Sequence, residues 1–302
     1  MNQMSPKQEQ SFPEQLNQYR TAIEEALDNA LALTPCRYQT VIEAMRYSLL
    51  GAGKRIRAVL VLEFARIFGV MPEHAMPVAC AIEMIHAYSL IHDDLPCMDD
   101  DAFRRGKPSC HVQFGEAAAL LAGDGLLTCA FETAGQAAQN LPSERVLAAM
   151  EKMAQCAGYR GMIGGQVIDL ESEGKSISPQ ALEEMYRLKT GALLEASCSC
   201  GCLLAGKQEM VVTAENYAKD LGLAFQIVDD ILDITGDQAL LGKPVGSDAE
   251  KHKSTFVSLY GLDQARKTAE YYTKRAMETL QKLPLPDEFL MQLTDMLLNR
   301  LQ

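Results

Sequence analysis

Residues 82–101 read IEMIHAYSLIHDDLPCMDDD, an apolar stretch that runs directly into Asp93, Asp94, Asp99, Asp100 and Asp101. A second segment, residues 223–233, repeats the theme as LAFQIVDDILD, with Asp229, Asp230 and Asp233. Carboxylates are seldom buried without a partner. Two anionic clusters joined to apolar helices therefore point to hard cations held between them. Mg²⁺ suits such a site, because it is normally held by one or two carboxylates together with substrate phosphates. A single cluster of this kind reads as readily as a solvated turn or a helix cap.

Spacing adds geometry. Asp229 and Asp233 are four apart and share a helix face. Gln226 lies on that side too, one turn before Asp230. His86, Ser89 and Asp93 follow i, i+3, i+7 spacing through otherwise apolar sequence, which turns His86 toward the same ligand as the carboxylate. Asp93 and Asp99 are six apart, roughly 240° of rotation on a continuous helix. Pro96 resolves this, because it disfavours the α conformation at Leu95 and removes a backbone donor. The helix is expected to stop there, and the loop to fold Asp99 back toward Asp93.

Outward from these segments, nearly everything reads as helix. Helical spacing or strong helix formers mark Val41–Leu50, Ala58–Phe68, Val78–Leu95, Glu116–Gln139, Ser143–Gly158, Gln180–Leu204, Ala214–Ile234 and Leu262–Leu283. Breakers fall between them, among them Gly51, Gly53, Pro72, Pro77, Pro108, Pro142, Gly174, Pro179, Gly242 and Pro244. Ser143 and Ser178 read as N-caps, and no strand pattern stands out. With 302 residues, 48% of them hydrophobic, and no low-complexity linker, the chain reads as one all-α domain over residues 1–302, with residues 1–12 as a flexible tail. The helix from Ala117 to Phe131 is apolar on several sides, as a core or subunit-interface helix is.

A net charge of −12 and a pI near 5.0 exclude a nucleic-acid surface. The nine cysteines have no disulfide framework, which fits a reducing cytoplasm. Cys198, Cys200 and Cys202 lack the companion ligands of a metal site and read as small buried packing residues. The polar N-terminus has no signal-peptide core, and no apolar run reads as long enough to span a membrane. Against this acidic background, basic residues gather at helix junctions: Lys54, Arg55 and Arg57; Arg104 and Arg105; Lys189; and Lys243, Lys251 and Lys253. Arginine forks suit phosphate oxygens. A substrate carrying a diphosphate is the simplest partner for both the cations and the metal.

Taken together, Gly53-Lys54-Arg55-Ile56-Arg57, His86, Asp93-Asp94-x4-Asp99 with Arg104-Arg105-Gly106, Gly164-Gly165-Gln166, Lys189-Thr190, Phe225-Gln226-x-x-Asp229-Asp230-x-x-Asp233 and Gly242-Lys243 resemble the trans-prenyltransferase, or isoprenyl diphosphate synthase, family over nearly the whole chain. The four residues between the Asp93-Asp94 pair and Asp99 resemble the bacterial short-chain type. The resemblance implies an antiparallel helix bundle around a deep central pocket, a homodimer, and condensation of an allylic diphosphate with isopentenyl diphosphate. It implies that Asp93, Asp99 and Asp229 hold three Mg²⁺ ions, for which Mn²⁺ substitutes, on the allylic diphosphate. Asp94, Asp100, Asp230 and Asp233 would support them. Arg104, Lys189 and Lys243 would grip the same diphosphate, and Lys54, Arg57, His86 and Arg105 would hold isopentenyl diphosphate without metal. Thr190 and Gln226 would place oxygens near the allylic cation, with Lys189 beside them as a third catalytic-site residue.

Product length rests on the pocket floor. Tyr88 lies five residues before Asp93, roughly 7.5 Å deeper at 1.5 Å per residue, and is followed by the small Ser89. An aromatic followed by a small residue at these positions resembles farnesyl diphosphate synthases of the bacterial type. A geranylgeranyl or geranyl diphosphate synthase is the alternative within the family. A class I terpene cyclase would carry an Asn/Ser/Glu motif in place of the second Asp cluster, and a non-catalytic regulatory subunit would have lost one cluster. The roles of Gly164-Gly165-Gln166 and Asp169, in substrate contact or in packing, stay open.

Overall fold

A computed structural model describes residues 11–33, 35–50, 53–235, 254–284 and 287–298, and the chain in it is almost wholly helical. In order come α1 (Phe12–Ala30), α2 (Gln39–Leu49), α3 (Ile56–Ile67), α4 (Pro72–Asp93), α5 (Cys110–Phe114), α6 (Glu116–Gly135), α7 (Ser143–Ala157), α8 (Met162–Ser172), α9 (Pro179–Tyr186), α10 (Ala192–Leu204) and α11 (Gln208–Thr235). After them come α12 (Phe256–Tyr260), α13 (Leu262–Leu280) and α14 (Glu288–Leu298). Among the described residues the only sheet is a two-residue ladder, Phe103–Arg104 (β1) against Lys107–Pro108 (β2). It closes the turn after the first aspartate cluster.

Helices α3, α4 and α10 are buried on most sides, as helices without a distinct polar face must be. Helix α10 packs against α3, α4, α7 and α11 and forms the axis of the bundle. Its small residues permit this, since a Cβ on Gly201 would come within 2.5 Å of the Phe64 Cβ. Cys198, Cys200 and Cys202 are all fully buried packing residues. All nine cysteines are free thiols. A second apolar cluster, including Leu182, Tyr186, Ile227, Val228 and Phe256, joins α9, α11, α12 and α13. Helices α4 and α11, which carry the two aspartate clusters, each pack on α10 but make no extensive contact with one another. That separation leaves a cleft between the clusters.

Several sequence expectations need correction. Helix α4 starts at Pro72 and runs through Pro77. Proline is favoured in the first turn, where its missing N–H leaves nothing unsatisfied. Pro77 forfeits one bond near the start of a 22-residue helix that tertiary packing holds in place. Pro142, not Ser143, is the N-cap of α7, whereas the Ser178 hydroxyl does accept the Ala181 N–H (3.2 Å). The segment read as one helix from Gln180 to Leu204 is divided by a π-helical turn, Arg187–Gly191. Five helices were not foreseen: α1, α5, α8, α12 and α14. Phe12, assigned to the tail, already opens α1, with Ser11 as its N-cap, and residues 1–10 lie outside the described residues. Glu116–Gln139 is, by length and composition, apolar enough to cross a membrane, contrary to the expectation that no run is. Its inner side, with Ala119, Ala122, Leu126 and Ala130, is buried in the bundle against α2 and α4.

Candidate active site

The polar stripe on α4 faces the cleft. Glu83 and His86 line a cavity of about 350 Å³, together with Lys54, Arg55 and Arg57 before and on α3, Arg105 in the β-turn, Thr190 and Leu194, Leu221 and Phe225 of α11, and Leu297 of α14. Lys54, Arg57, His86 and Arg105, separated by up to half a hundred residues in sequence, thus share one pocket. Burial and the nearby Arg57, Arg105, Arg55 and Arg104 hold the His86 imidazole well below its usual range, so it is neutral at physiological pH and offers an N–H rather than a charge. The Arg57 Nε is buried with no hydrogen-bond partner among the described residues. An orphaned buried guanidinium nitrogen at a cavity wall marks a place where an anion completes the site.

The first aspartate loop folds as Pro96 dictates. Helix α4 ends at Asp93. The Asp99 N–H then donates to the Asp93 carbonyl (2.9 Å), and the Met98 and Asp100 N–H groups donate to the Leu95 carbonyl (2.8 and 3.2 Å). Asp99 is thereby brought back over Asp93. Asp100 supports the reversal with a left-handed backbone, φ 52°. Burial raises the Asp93 carboxyl to about 6; Lys189 and Arg104 oppose this, and Asp99 and Asp94 add to it. Asp94 faces the other way, buried in an ion pair with Arg104 (Nε to Oδ1 3.0 Å), whose guanidinium also lies 3.6 Å from Asp101.

On α11, Leu221, Phe225 and Asp229 follow one another at four-residue steps, so Asp229 continues the cavity-lining face by one turn. Gln226 beside it accepts a hydrogen bond from the Thr190 hydroxyl (2.9 Å). Asp230 is turned away. It is buried and accepts both the Tyr186 hydroxyl (2.7 Å) and the Phe256 N–H (2.8 Å), which ties α9 and α12 to α11. Asp233 is buried as well.

Lys189 and Thr190 lie on the π-helical turn, a feature that recurs at functional sites because it re-aims side chains within a helix. Lys189 is paired with Asp169 of α8 (Nζ to Oδ2 2.5 Å). Gly165 lets α8 reach it, since a Cβ there would lie 2.2 Å from the Lys189 backbone nitrogen. Gly165 therefore lets α8 pack against the π-turn, while Gly164 abuts the Tyr159 carbonyl, and Asp169 is the ion-pair partner of Lys189. Gln166 is buried with neither side-chain polar atom hydrogen-bonded among the described residues. Asp169 was legible in part, since it shares a helix face with Gly165 four residues earlier. Glu83 was missed, although it stands three residues before His86 on the same stripe. Lys243, Gly242, Lys251 and Lys253 lie outside the described residues.

No three His, Cys, Asp or Glu side chains among the described residues converge into a preformed metal cage. The donor set still fits Mg²⁺, because a magnesium site needs only one or two protein carboxylates when phosphates supply the remaining oxygens. The crowding that raises Asp93 is the electrostatic condition that a bound cation relieves.

The sequence pattern of the polyprenyl synthetase family matches residues 38–284, which span all the charged and polar groups just described. The chain belongs to the polyprenyl synthetase family. A farnesyl diphosphate synthase of Escherichia coli is 46% identical over 275 residues, covering 90% of this chain and 92% of that one. A geranylgeranyl diphosphate synthase of Cyanophora paradoxa is 43% identical, covering 86% of this chain and 87% of its own. The crystal structure of an FPP/GFPP synthase from Zymomonas mobilis superposes with a TM-score of 0.85 at 34% identity, covering 95% of this chain and 98% of that one. Family membership accounts for the all-α bundle and for the two aspartate-bearing helices on either side of its cleft.

Tyr88 does not line the cationic cavity. It is 5% exposed, its ring meets His92 edge-on at 5.7 Å, and its hydroxyl is buried without a hydrogen-bond partner among the described residues. Ser89 donates its hydroxyl to the His86 carbonyl (3.0 Å), one turn above Asp93.

Proposed function

We propose that this prenyltransferase joins dimethylallyl or geranyl diphosphate to isopentenyl diphosphate, releases diphosphate, and stops at (2E,6E)-farnesyl diphosphate. The observation that carries this reading is the division of one cleft into two chemistries. One end is a cationic pocket of Lys54, Arg57, Arg105 and neutral His86; the other holds the carboxylates of Asp93 and Asp99 with Lys189 and Arg104 nearby, and Asp229 stands on α11 one turn beyond the cavity-lining Phe225. The first suits a diphosphate bound directly, and the second a diphosphate bound through metal.

Asp93, Asp99 and Asp229 would hold Mg²⁺, with Asp100 and Asp233 in support, Asp94 acting through Arg104 and Asp230 by tying α9 and α12 to α11. When bound, Mg²⁺ supplies Lewis-acid stabilisation for the charge that grows on the departing diphosphate. Lys189 and Arg104 neutralise the same oxygens, and Asp169 and Asp94 orient them for it. The allylic C–O bond breaks and its electron pair leaves with the diphosphate. The isopentenyl double bond then attacks the allylic carbon, and the condensed cation loses a proton, for which the released diphosphate is the base. Thr190 lines the cavity with its hydroxyl proton committed to Gln226, which leaves its oxygen lone pairs free to stabilise positive charge. Apolar walls from Leu194, Leu221, Phe225 and Leu297 exclude water that would trap the cation.

The aromatic Tyr88 followed by small Ser89, five residues before Asp93 on α4, favours the fifteen-carbon product, as does the 46% identity to the Escherichia coli enzyme. The exposed outer stripe of α6, with Ala117, Leu120, Leu121, Asp124 and Thr128, is apolar enough to form a homodimer interface. The free thiols fit a cytoplasmic location. Geranyl and isopentenyl diphosphates supplied with Mg²⁺ or Mn²⁺ should yield a prenyl product and one diphosphate per condensation, and EDTA should stop both. Turnover that survives chelation would refute the metal assignment.

A further inference from the structure

Glu83 is a carboxylate in the wall of a pocket read as binding an anion. It is 3% exposed, and its oxygens face inward. Oε1 accepts the Ala58 N–H in the first turn of α3 (3.2 Å), and Oε2 accepts Arg55 Nη1 (3.3 Å). Arg55 is equally buried. Its Nε donates to Glu24 of α1 (2.7 Å) and its Nη2 to the Leu49 carbonyl at the end of α2 (2.5 Å). A left-handed backbone at Arg55, φ 55°, divides the Lys54-Arg55-Ile56-Arg57 run. It sends the middle guanidinium into the protein, where its donors are taken by Glu24, Glu83 and a carbonyl. Arg57, on the α3 turn that Glu83 caps, keeps its buried Nε unspent. Glu83 draws the Arg57 guanidinium electrostatically while Arg105 repels it.

We propose that Glu83 is a positioning residue for isopentenyl diphosphate. Through Arg55 and the Ala58 amide it fixes the first turn of α3, and through its charge it holds Arg57 and Arg105 together in readiness for the substrate. This rests on the reading of the cationic pocket as the isopentenyl diphosphate site. A carboxylate facing the ligand would weaken anion binding. Because both Glu83 oxygens are committed to Arg55 and to α3, its charge instead offsets the mutual repulsion of the guanidinium groups that bind.

The test is a steady-state comparison of Glu83→Gln, Arg55→Lys and Arg57→Ala on the full chain, with melting temperatures to confirm folding. Glu83→Gln keeps an oxygen for the Ala58 amide but loses the charge. It should raise the KM for isopentenyl diphosphate at least tenfold, with kcat within threefold and the KM for geranyl diphosphate within twofold. Arg55→Lys, whose compact ammonium cannot span the acceptors now reached from Nε, Nη1 and Nη2, should show the same selective rise at smaller size, and it carries the test if Glu83→Gln does not fold. A selective rise for Arg57→Ala with no rise for either of the others would overturn the role of Glu83 and leave the pocket assignment standing. An unchanged isopentenyl KM in Arg57→Ala would overturn both.

Discussion

Tyr88→Ala is the most informative substitution. The side chain is 5% exposed, and its hydroxyl is buried without a partner. Burial, with the nearby Asp93 charge, pushes the phenol up to about 12, so it stays neutral. Truncating a buried aromatic ring costs about 3–5 kcal/mol. Losing a buried hydroxyl that makes no hydrogen bond returns roughly 1–3 kcal/mol of desolvation. The net loss should be about 2 kcal/mol, which leaves a protein of this size folded and a few degrees less stable. The opened space should admit one more isoprene unit, roughly 4–5 Å and comparable to one helical turn, so geranylgeranyl diphosphate should appear. Tyr88→Phe separates the two effects. It removes only the orphaned hydroxyl, and should be neutral or stabilising by about 1 kcal/mol, with farnesyl diphosphate still the product. Chromatography of the hydrolysed prenyl alcohols and thermal melts read both outcomes. A folded, active Tyr88→Ala enzyme that makes only farnesyl diphosphate would place the floor on another helix.

Asp93→Ala and Asp229→Ala should each lower kcat by about 10²–10³-fold or more, the scale of losing one electrostatic contact to the transition state; near wild-type turnover at saturating Mg²⁺ in either would contradict its role. His86 is depressed in the folded state, so the unfolded chain binds the extra proton and stability should fall as pH drops below about 6.5. His86→Gln should remove that part of the slope, and parallel melting curves for wild type and variant between pH 7.5 and about pH 5 would refute the assignment. Light scattering should give twice the 33.2 kDa chain mass. Leu121→Glu, at an exposed position of α6, should shift the protein toward monomer, and an unchanged dimer would move the interface elsewhere.

The aspartate-bearing helices were legible because periodicity and chemistry coincide there. One polar stripe crosses an apolar helix, and a proline stands where the chain must turn. The Asp99-to-Asp93 hydrogen bond is the loop that Pro96 implied. Helix α8 was hidden because Gly164 and Gly165 lower its helix propensity; Gly165 stands there so that the Lys189 backbone can approach, and Gly164 leaves room for the Tyr159 carbonyl. Helix α1 carried a readable signal, with Glu14 accepting the Ser11 N–H (3.0 Å) and a proline in its first turn, but its buried stripe of Tyr19, Ile23 and Leu27 is too thin to stand out in a polar segment. Asp287 likewise announces α14 by accepting the Leu290 N–H (2.9 Å). Long-range pairs such as Arg55 with Glu83 and Lys189 with Asp169 leave no periodic trace, because their partners are fixed by packing between helices. The inward turn of Asp230 was equally invisible, since Asp229 and Asp230 are chemically alike and only the helix surroundings separate their roles.

The central claim is that this cleft builds a prenyl chain and stops it at fifteen carbons. Its most direct test is exhaustive turnover of dimethylallyl diphosphate with a large excess of isopentenyl diphosphate and Mg²⁺, followed by mass analysis of the hydrolysed products. The account predicts that farnesol accumulates as the end product, and that farnesyl diphosphate supplied as the allylic substrate is not extended. Accumulation of geranylgeraniol by the unaltered enzyme, or steady extension of farnesyl diphosphate, would contradict it.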